Sequence, residues 1–468
     1  MNVWDGRRQP RVARLLALAL AIAAVSPSGG SGRPAPAAEE ERSDFYTLAN
    51  GLRVYLMENR TLPLVHMVVA VDLGSKNEAD ETNGLSHVLE HYILFRGTNS
   101  RTAEEISRDI RRHGAYFNAF TGLDLAQFEM TLPAGQEEFA LSNQKDILFN
   151  LKIDAEALEA EKEVVLEELN QQEDDPLQSA TSLVYQKIFA GHPYARPIAG
   201  TRKSIAGLTA AQLGSFYRTF FTPSNSVLAV VGDFSLPDLK EKVARIFGSL
   251  PGGEPPPGQI LPASGPNRDQ SFTLSMDVNQ AYCVIGLTAP DYNHPDQYAV
   301  DVLTEIIGRG ARPLLSSALA RNRVRVDGLS MSYQALRLGG ILLITMTLDP
   351  SLVQAAQRET LSFLRRVRNS NFSPEEFLGA ESYYAYDYLR SAKNQIRYSA
   401  EKSQELGMNL AVSLARHMIL SNGRAGGGYL ENIGRITSSD LRRAAAKYLS
   451  AANIVSVRVV PSGREPGP

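Results

Sequence analysis

Apolar positions recur along this chain with two different periods. "LRVYLMEN" (52–59) and "LVHMVVAVDLG" (64–74) are apolar and β-branched with turn residues at their ends, which predicts strands. "QFEMTLP" (127–133) alternates strictly and predicts a third strand. "GLSHVLEHYILF" (84–95) and "AEALEAEKEVVLEELNQQ" (155–172) carry helical spacing, and the second is rich in strong helix formers. Paired strands followed by paired helices predict an α+β fold, with helices packed on one face of a mainly antiparallel sheet.

The pattern occurs twice. "FEMTLP" (128–133) is echoed by "LITMTLDP" (343–350), "SIAGLTAAQL" (204–213) by "NIGRITSSDL" (432–441), and "SNSVLAVVGD" (224–233) by "ANIVSVRVVP" (452–461). The pairs keep their order, at offsets of 216, 228 and 228, which is the mark of a duplicated domain. Between the copies, "PGGEPPPGQILPASGPNR" holds six prolines and four glycines. No helix or central strand survives that density, so 251–268 is expected to be a linker. The expected division is an N-terminal domain over 44–250 and a homologous C-terminal domain over 269–463.

Residues 1–38 differ from the rest. Arg7, Arg8, Arg11 and Arg14 precede an apolar run from Leu15 to Val25, followed by small residues around Ala35-Pro36-Ala37. This order predicts a cleaved secretory signal peptide and a periplasmic or otherwise extracytoplasmic location. A mitochondrial transit peptide is the alternative, given the arginines, although the run has no polar face. Its eleven apolar residues fall short of the roughly 20 that span a bilayer, so no stable membrane span is expected in the mature chain. A net charge of −3, with no basic stripe, argues against nucleic acid as a partner. The single cysteine, Cys283, excludes an intramolecular disulfide.

The chemistry gathers in "HVLEH". His87 and His91 are four apart, so they share a helix face, with Glu90 beside them. Two imidazoles can grip one zinc ion, whose catalytic sites take three protein ligands and leave one position open. The intervening glutamate is better placed as a general base for water. Laying "DVLTEIIG" (301–308) on "HVLEHYIL" sets Asp301, Thr304 and Glu305 where His87, Glu90 and His91 stand. The scaffold can therefore be built without the three, which argues for one site confined to the first half.

A third ligand must come from another element. Glu161 and Glu168 lie seven apart on the second predicted helix, two turns, and so share a face. Glu168 is suited to complete the metal shell and Glu161 to orient a ligand behind it. A solvated acidic helix face explains the same spacing. A closed structural metal site is a further alternative, and it would need a fourth protein ligand.

Five segments taken together resemble the pitrilysin/insulin-degrading-enzyme family of zinc metallopeptidases, in its short bacterial and mitochondrial-processing-peptidase-like branch. They are "FYTLANGLRVYLMENRTLPLV", "NGLSHVLEHYILFRGT", "GAYFNAFTGLDLAQFEMTLP", "EKEVVLEEL" and "GHPYARPIAGTRKSIAGLT", in order along the chain. The resemblance covers essentially all of the mature chain. It implies zinc held by His87, His91 and Glu168, with Glu90 as general base and Glu161 as supporting carboxylate. It also implies that Phe117, Asn118 and Ala119 lie on an edge strand that pairs with the substrate backbone, a binding mode that makes little demand on substrate sequence. The second segment carries one extra residue before Phe95 relative to the family pattern.

One departure bears on activity. Active members pair an arginine with a tyrosine seven residues on, which binds the substrate carbonyl. In "LARNRVRVDGLSMSY" (319–333) no pair has that spacing: seven past Arg321, Arg323 and Arg325 stand Gly328, Ser330 and Ser332. The six arginines of "RNRVR" and "LRRVR" read as solvated faces, and His192 and His417 as structural. The expected function is a secreted zinc endopeptidase acting on peptides or unfolded segments. Its expected assembly is a homodimer, or a heterodimer with a related subunit that supplies the Arg/Tyr pair. The rival is a non-catalytic or partner-dependent subunit engaged in peptide binding or assembly.

Overall fold

Two β-sheets of the same design form the core of the computed structural model. It describes residues 42–254, 256, 261, 265–266, 268–310, 313–370, 387–421, 428–450 and 454–463. The expected signal peptide lies outside the described residues, as does part of the expected linker.

The first half begins with strands β1 Ser43–Thr47, β2 Arg53–Glu58 and β3 Leu64–Val71. Helices α1 Leu85–Phe95 and α2 Ala103–Arg112 follow, then strands β4 Tyr116–Thr121 and β5 Ala126–Pro133. Helices α3 Glu137–Phe149, α4 Ala155–Asp174, α5 Pro176–Ile188, α6 Arg202–Gly207 and α7 Ala210–Phe220 lead to β6 Ser226–Gly232 and α8 Leu236–Phe247. The second half opens with β7 Gln270–Met276, β8 Ala281–Ala289 and α9 Gln297–Thr304. It continues through α10 Leu314–Arg321, β9 Gly328–Leu336, β10 Gly339–Leu348 and α11 Val353–Arg368. It closes with α12 Tyr388–Gln404, α13 Gly407–Leu420, α14 Tyr429–Arg435, α15 Ser438–Tyr448 and β11 Ile454–Pro461.

The first sheet has the order β1-β2-β6-β3-β5-β4 and the second β7-β11-β8-β10-β9. Each is antiparallel except for one parallel pair, β2 with β6 and β7 with β11. Dropping β1, the two orders coincide strand for strand. The echoed segments occupy matching elements: β5 and β10, the α6–α7 and α14–α15 pairs, and β6 and β11. Even the caps repeat. Thr209 and Gln212 close a capping box on α7, and Thr437 and Asp440 close one on α15.

Alternation along the strands gives each sheet two apolar faces. Val65, Met67, Val69, Phe128, Met130, Leu228 and Val230 face their own half's helices. On the opposite face, Val68, Ala70, Val227, Ala229 and Val231 pack against Ala411, Ala415 and Met418 of α13, a helix of the second half. In return α5, from the first half, lays Ala180, Val184 and Ile188 against Val284, Ile341, Val455 and Val457 of the second sheet. The halves thus exchange one helix each, so the second face of each sheet is covered from outside its own half. This exchange is additional to the expected helices on one face.

A polar cluster ties the halves where the β9–β10 turn meets the first sheet. Arg337 Nη1 lies 2.6 Å from Asp72 Oδ2, its backbone amide donates to Asp124 Oδ2 at 2.9 Å, and Tyr194 Oη donates to Asp124 Oδ1 at 2.5 Å. Lys76 bridges to Asp72 at 3.0 Å.

Candidate metal centre

Helix α1 is fixed at its N-terminus by a buried carboxylate. Glu78 accepts from the backbone amides of Gly84 and Ser86, both at 2.7 Å, and from Asn83 Nδ2 at 2.9 Å. These are the amides a helix leaves without intrahelical partners, and a negative charge there also suits the helix dipole. Gly84 has φ +94°, and a Cβ on it would meet Ala199 O at 2.8 Å and Ile205 Cδ1 at 2.5 Å, so only glycine fits. Tyr92 joins α1 to the next helix of the site: its Oη accepts from the amide of Asp154, the N-cap of α4, at 2.7 Å.

The spacing along the two helices then aims the side chains. His87 Nε2 lies 3.8 Å, and His91 Nε2 3.3 Å, from Glu168 Oε2. One ligand atom from each of the three residues falls within 4.8 Å of the others. Zinc bonds of about 2.0–2.1 Å in a tetrahedron set ligand atoms roughly 3.4 Å apart, so the donor set fits a cation with little adjustment. Among the described residues this is the only group of three or more such side chains positioned for a metal.

Glu161 is 2% exposed and lies behind His91, its Oε2 3.7 Å from His91 Nδ1. That is longer than a hydrogen bond, and both atoms are buried without a hydrogen-bond partner. Glu161 Oε1 is held by Arg96 Nη2 at 2.6 Å. Arg96 comes from the residue after α1, and no local spacing rule pairs it with a carboxylate in a distant helix. Sequence reasoning missed both this arginine and Glu78.

Electrostatics divides the two histidines. Burial, and then the neighbouring His91, push His87 down to about 4 against the pull of Glu168, so His87 is neutral, the form that binds a metal. Burial lowers His91 too, but its contacts with Glu161 and Glu168 and the charges of Glu168 and Glu90 outweigh it and raise it to about 9. Contact with His91 holds Glu168 below the usual carboxylate range. Burial raises Glu90, opposed by Thr121 and His91. Thr121 is the last residue of β4, so Glu90 lies beside the edge strand.

Among the described residues, strand β4 pairs only with β5 and is the outer strand of its sheet, so Phe117, Asn118 and Ala119 stand on a strand with one open edge. Ala119 is buried, Phe117 half-buried and Asn118 exposed. The Arg/Tyr region serves other ends. Tyr333 Oη donates to Pro290 O at 2.8 Å, and Arg325 lies 3.9 Å from Asp327. Of the six arginines read as solvated, Arg321, Arg365 and Arg366 line one cavity of about 470 Å³ together with Ser362 and Asn369. A second cavity, of about 460 Å³, lies behind α1 and shares Tyr92 and Arg96. His87, His91 and Glu168 line neither of these two cavities. His192 Nδ1 accepts from the Tyr194 amide at 3.1 Å, and His417 Nδ1 lies 2.8 Å from Tyr292 Oη.

Two matched sheets, with a His-His-Glu cluster behind one edge strand, make a two-domain protein with one candidate metal centre among its described residues. A family model described as "Insulinase (Peptidase family M16)" matches residues 53–202, and one described as "Peptidase M16 inactive domain" matches residues 207–382. An uncharacterized zinc protease of Mycobacterium bovis is 31% identical over 342 residues, 70% of this chain and 76% of that protein. One of Bacillus subtilis is 30% identical over 263 residues, 56% of this chain, and the match spans 63% of the Bacillus protein. The mitochondrial-processing peptidase subunit beta of Lentinula edodes is 26% identical over 430 residues, 87% of each chain. The structure of a protease from Helicobacter pylori superposes with a TM-score of 0.82 at 21% identity, over 90% of this chain and all of that one, a likeness of fold. The chain belongs to the pitrilysin-type M16 peptidase family. Among the described residues, no helix is long and apolar enough to cross a membrane.

Proposed function

We propose that this chain is a zinc-dependent endopeptidase acting on peptides or unfolded segments outside the cytoplasm. The observation that carries this reading is the convergence of His87 Nε2, His91 Nε2 and Glu168 Oε2 beside Glu90, next to an open strand edge. Zinc, when bound by these three residues, would supply Lewis-acid polarisation of the scissile carbonyl and of a water molecule. An extended substrate adds to β4 through backbone hydrogen bonds at Phe117, Asn118 and Ala119. Glu90 takes a proton from the attacking water and passes it to the leaving amine, and its raised pKa suits a group that must both accept and release. Glu161 orients His91 from behind, and Arg96 holds Glu161.

The decisive experiment is Glu90→Gln. Peptide cleavage should fall about a hundred- to ten-thousandfold with zinc content unchanged, since proton transfer by a positioned base contributes that much. Unchanged cleavage would reject the assignment.

A second reading is a partner-dependent subunit. The engagement of Tyr333 with Pro290, and the absence of correctly spaced arginine and tyrosine, favour it. A missing carbonyl-binding donor costs about a hundred- to a thousandfold in rate. The Lentinula relative is named as a subunit. In this reading a second, related chain, or a second copy, supplies the donor. Adding such a partner and recovering cleavage distinguishes it from the self-sufficient enzyme. The N-terminal segment supports a periplasmic setting, and the mitochondrial relative supports the alternative.

A further inference from the structure

Strand β4 has two faces, and only one of them serves the metal. Ala119 and Thr121 are buried on the helix side. Tyr116, Asn118 and Phe120 point the other way, and Tyr116 and Phe120 are 55% and 65% exposed. The register sets Asn118 opposite Glu129 on β5, Tyr116 opposite Thr131 and Phe120 opposite Gln127. Glu129 therefore sits one strand in from the open edge, between two exposed aromatic rings, on the face away from α1.

Glu129 has no cationic partner among the described residues. Gln127 Nε2 donates to its Oε1 at 2.7 Å, which leaves the other oxygen available. His66, on the same face of β3, is engaged with Thr131 at 2.9 Å, and burial holds it below its ordinary pKa, so it is neutral. A half-buried carboxylate without a counter-ion is costly, and burial raises this one.

The second half provides an internal control. At the offset of 216 that aligns β5 with β10, Glu129 corresponds to Thr345, and the residue opposite Thr345 is Ser330. Tyr116, Asn118 and Phe120 correspond through the same register to Gly328, Ser330 and Ser332. The scaffold thus needs neither the acid nor the rings.

We infer that Glu129, flanked by Tyr116 and Phe120, forms a subsite for a basic side chain of an extended peptide lying on β4. This rests on the peptidase reading above. A strand added outside β4 runs two strand spacings from β5, about 10 Å, which a lysine or arginine stem and a glutamate arm span together. The stem passes over Asn118 between the rings, where a cation is also attracted to the aromatic faces. Asn118 is three residues from Thr121, which is beside Glu90, so the subsite lies about 10 Å, or three residues, from the scissile bond.

The test compares quenched fluorescent decapeptides that differ only by Lys, Leu or Glu at successive positions. The full-length protein should cleave the Lys peptide about tenfold better than the Leu peptide, in kcat/KM, at one position about three residues from the cut. In Glu129→Gln that ratio should fall to about one, and in Glu129→Lys the Glu peptide should become the better substrate. A Lys preference that survives Glu129→Gln in a variant with an unchanged melting temperature overturns the inference. If no peptide is cleaved, the peptidase reading fails and binding still decides this one. Anisotropy of the labelled Lys and Leu peptides on Glu90→Gln must then show tighter binding of Lys that vanishes in Glu90→Gln/Glu129→Gln. Equal affinities, or no binding, overturn it.

Discussion

The two halves share one sheet design and differ in what stands behind and along its edge. In the first half α1 is an unbroken helix of 11 residues carrying His87, Glu90 and His91. In the second, the matching α9 gives way to a π-helix over Glu305–Arg309, with Asp301, Thr304 and Glu305 at the three positions. The π turn begins at Glu305, whose amide still donates to Asp301 O, so the two halves differ at these positions in side-chain chemistry and in how the helix continues beyond them.

The position held by His87 and Asp301 is instructive, because the same dry surroundings act on opposite chemistries. Burial pushes His87 down to about 4 and Asp301 up to about 6. Both move towards the neutral form. For the imidazole, neutrality is the ligand form. For the carboxyl, burial raises the pKa against the hydrogen bond that Tyr429 Oη donates to Oδ2 at 2.9 Å. One scaffold position thus carries a neutral imidazole of the candidate metal centre in one copy and a carboxyl of raised pKa in the other.

The largest expected effect breaks the comparison at this helix. His91→Ala should take zinc content from about one per chain to near zero and reduce cleavage by more than about a thousandfold, whereas Glu305→Gln should leave both within about twofold. Elemental analysis and a peptide assay read this directly. Next comes the cluster that joins the halves. Arg337→Ala removes one of two cationic partners from the part-buried Asp72, which keeps Lys76, and should destabilise the fold by about 2 kcal/mol in denaturant unfolding through the lost charge-assisted hydrogen bonds.

A smaller effect lies at Asp301. Its folded pKa is above the unfolded value of 3.8, so the folded chain holds the proton more tightly. The favourable contribution is full below pH 4 and is lost as pH rises from about 4 to about 6. Asp301→Asn should therefore gain about 1–2 kcal/mol at pH 7.5 and nothing near pH 4, after a discount for the partly accessible side chain. Thermal melts at the two pH values check the sign. The smallest effect is at the edge. Phe120→Ser installs the second half's residue and should lower kcat/KM by about three- to tenfold, mainly through KM, while Ser332→Ala should leave it unchanged.

Much of this was legible in the chain itself. The helical spacings of His87 with His91 and of Glu161 with Glu168 are local rules of a 3.6-residue turn, and the structure brings His87, His91 and Glu168 together. The duplication was legible because strand alternation survives divergence, and the two sheets have matching order. The parallel pairs β2–β6 and β7–β11, and the exchange of α5 and α13, were not. They depend on which distant apolar surfaces meet, and no periodicity records that. Arg96 and Glu78 escaped for the same reason: each acts through a partner in another element, from a position with no repeating pattern. The grouping of Arg321 with Arg365 and Arg366 around a cavity likewise reflects the packing of α10 on α11, not the composition of either segment.

The central claim is one metal, held by the first half alone. Crystals of the purified chain grown with zinc, measured on either side of the zinc absorption edge, test it most directly. The account predicts a single anomalous peak within bonding distance of His87, His91 and Glu168. An absent peak there, or a peak at Asp301 and Glu305, would contradict it.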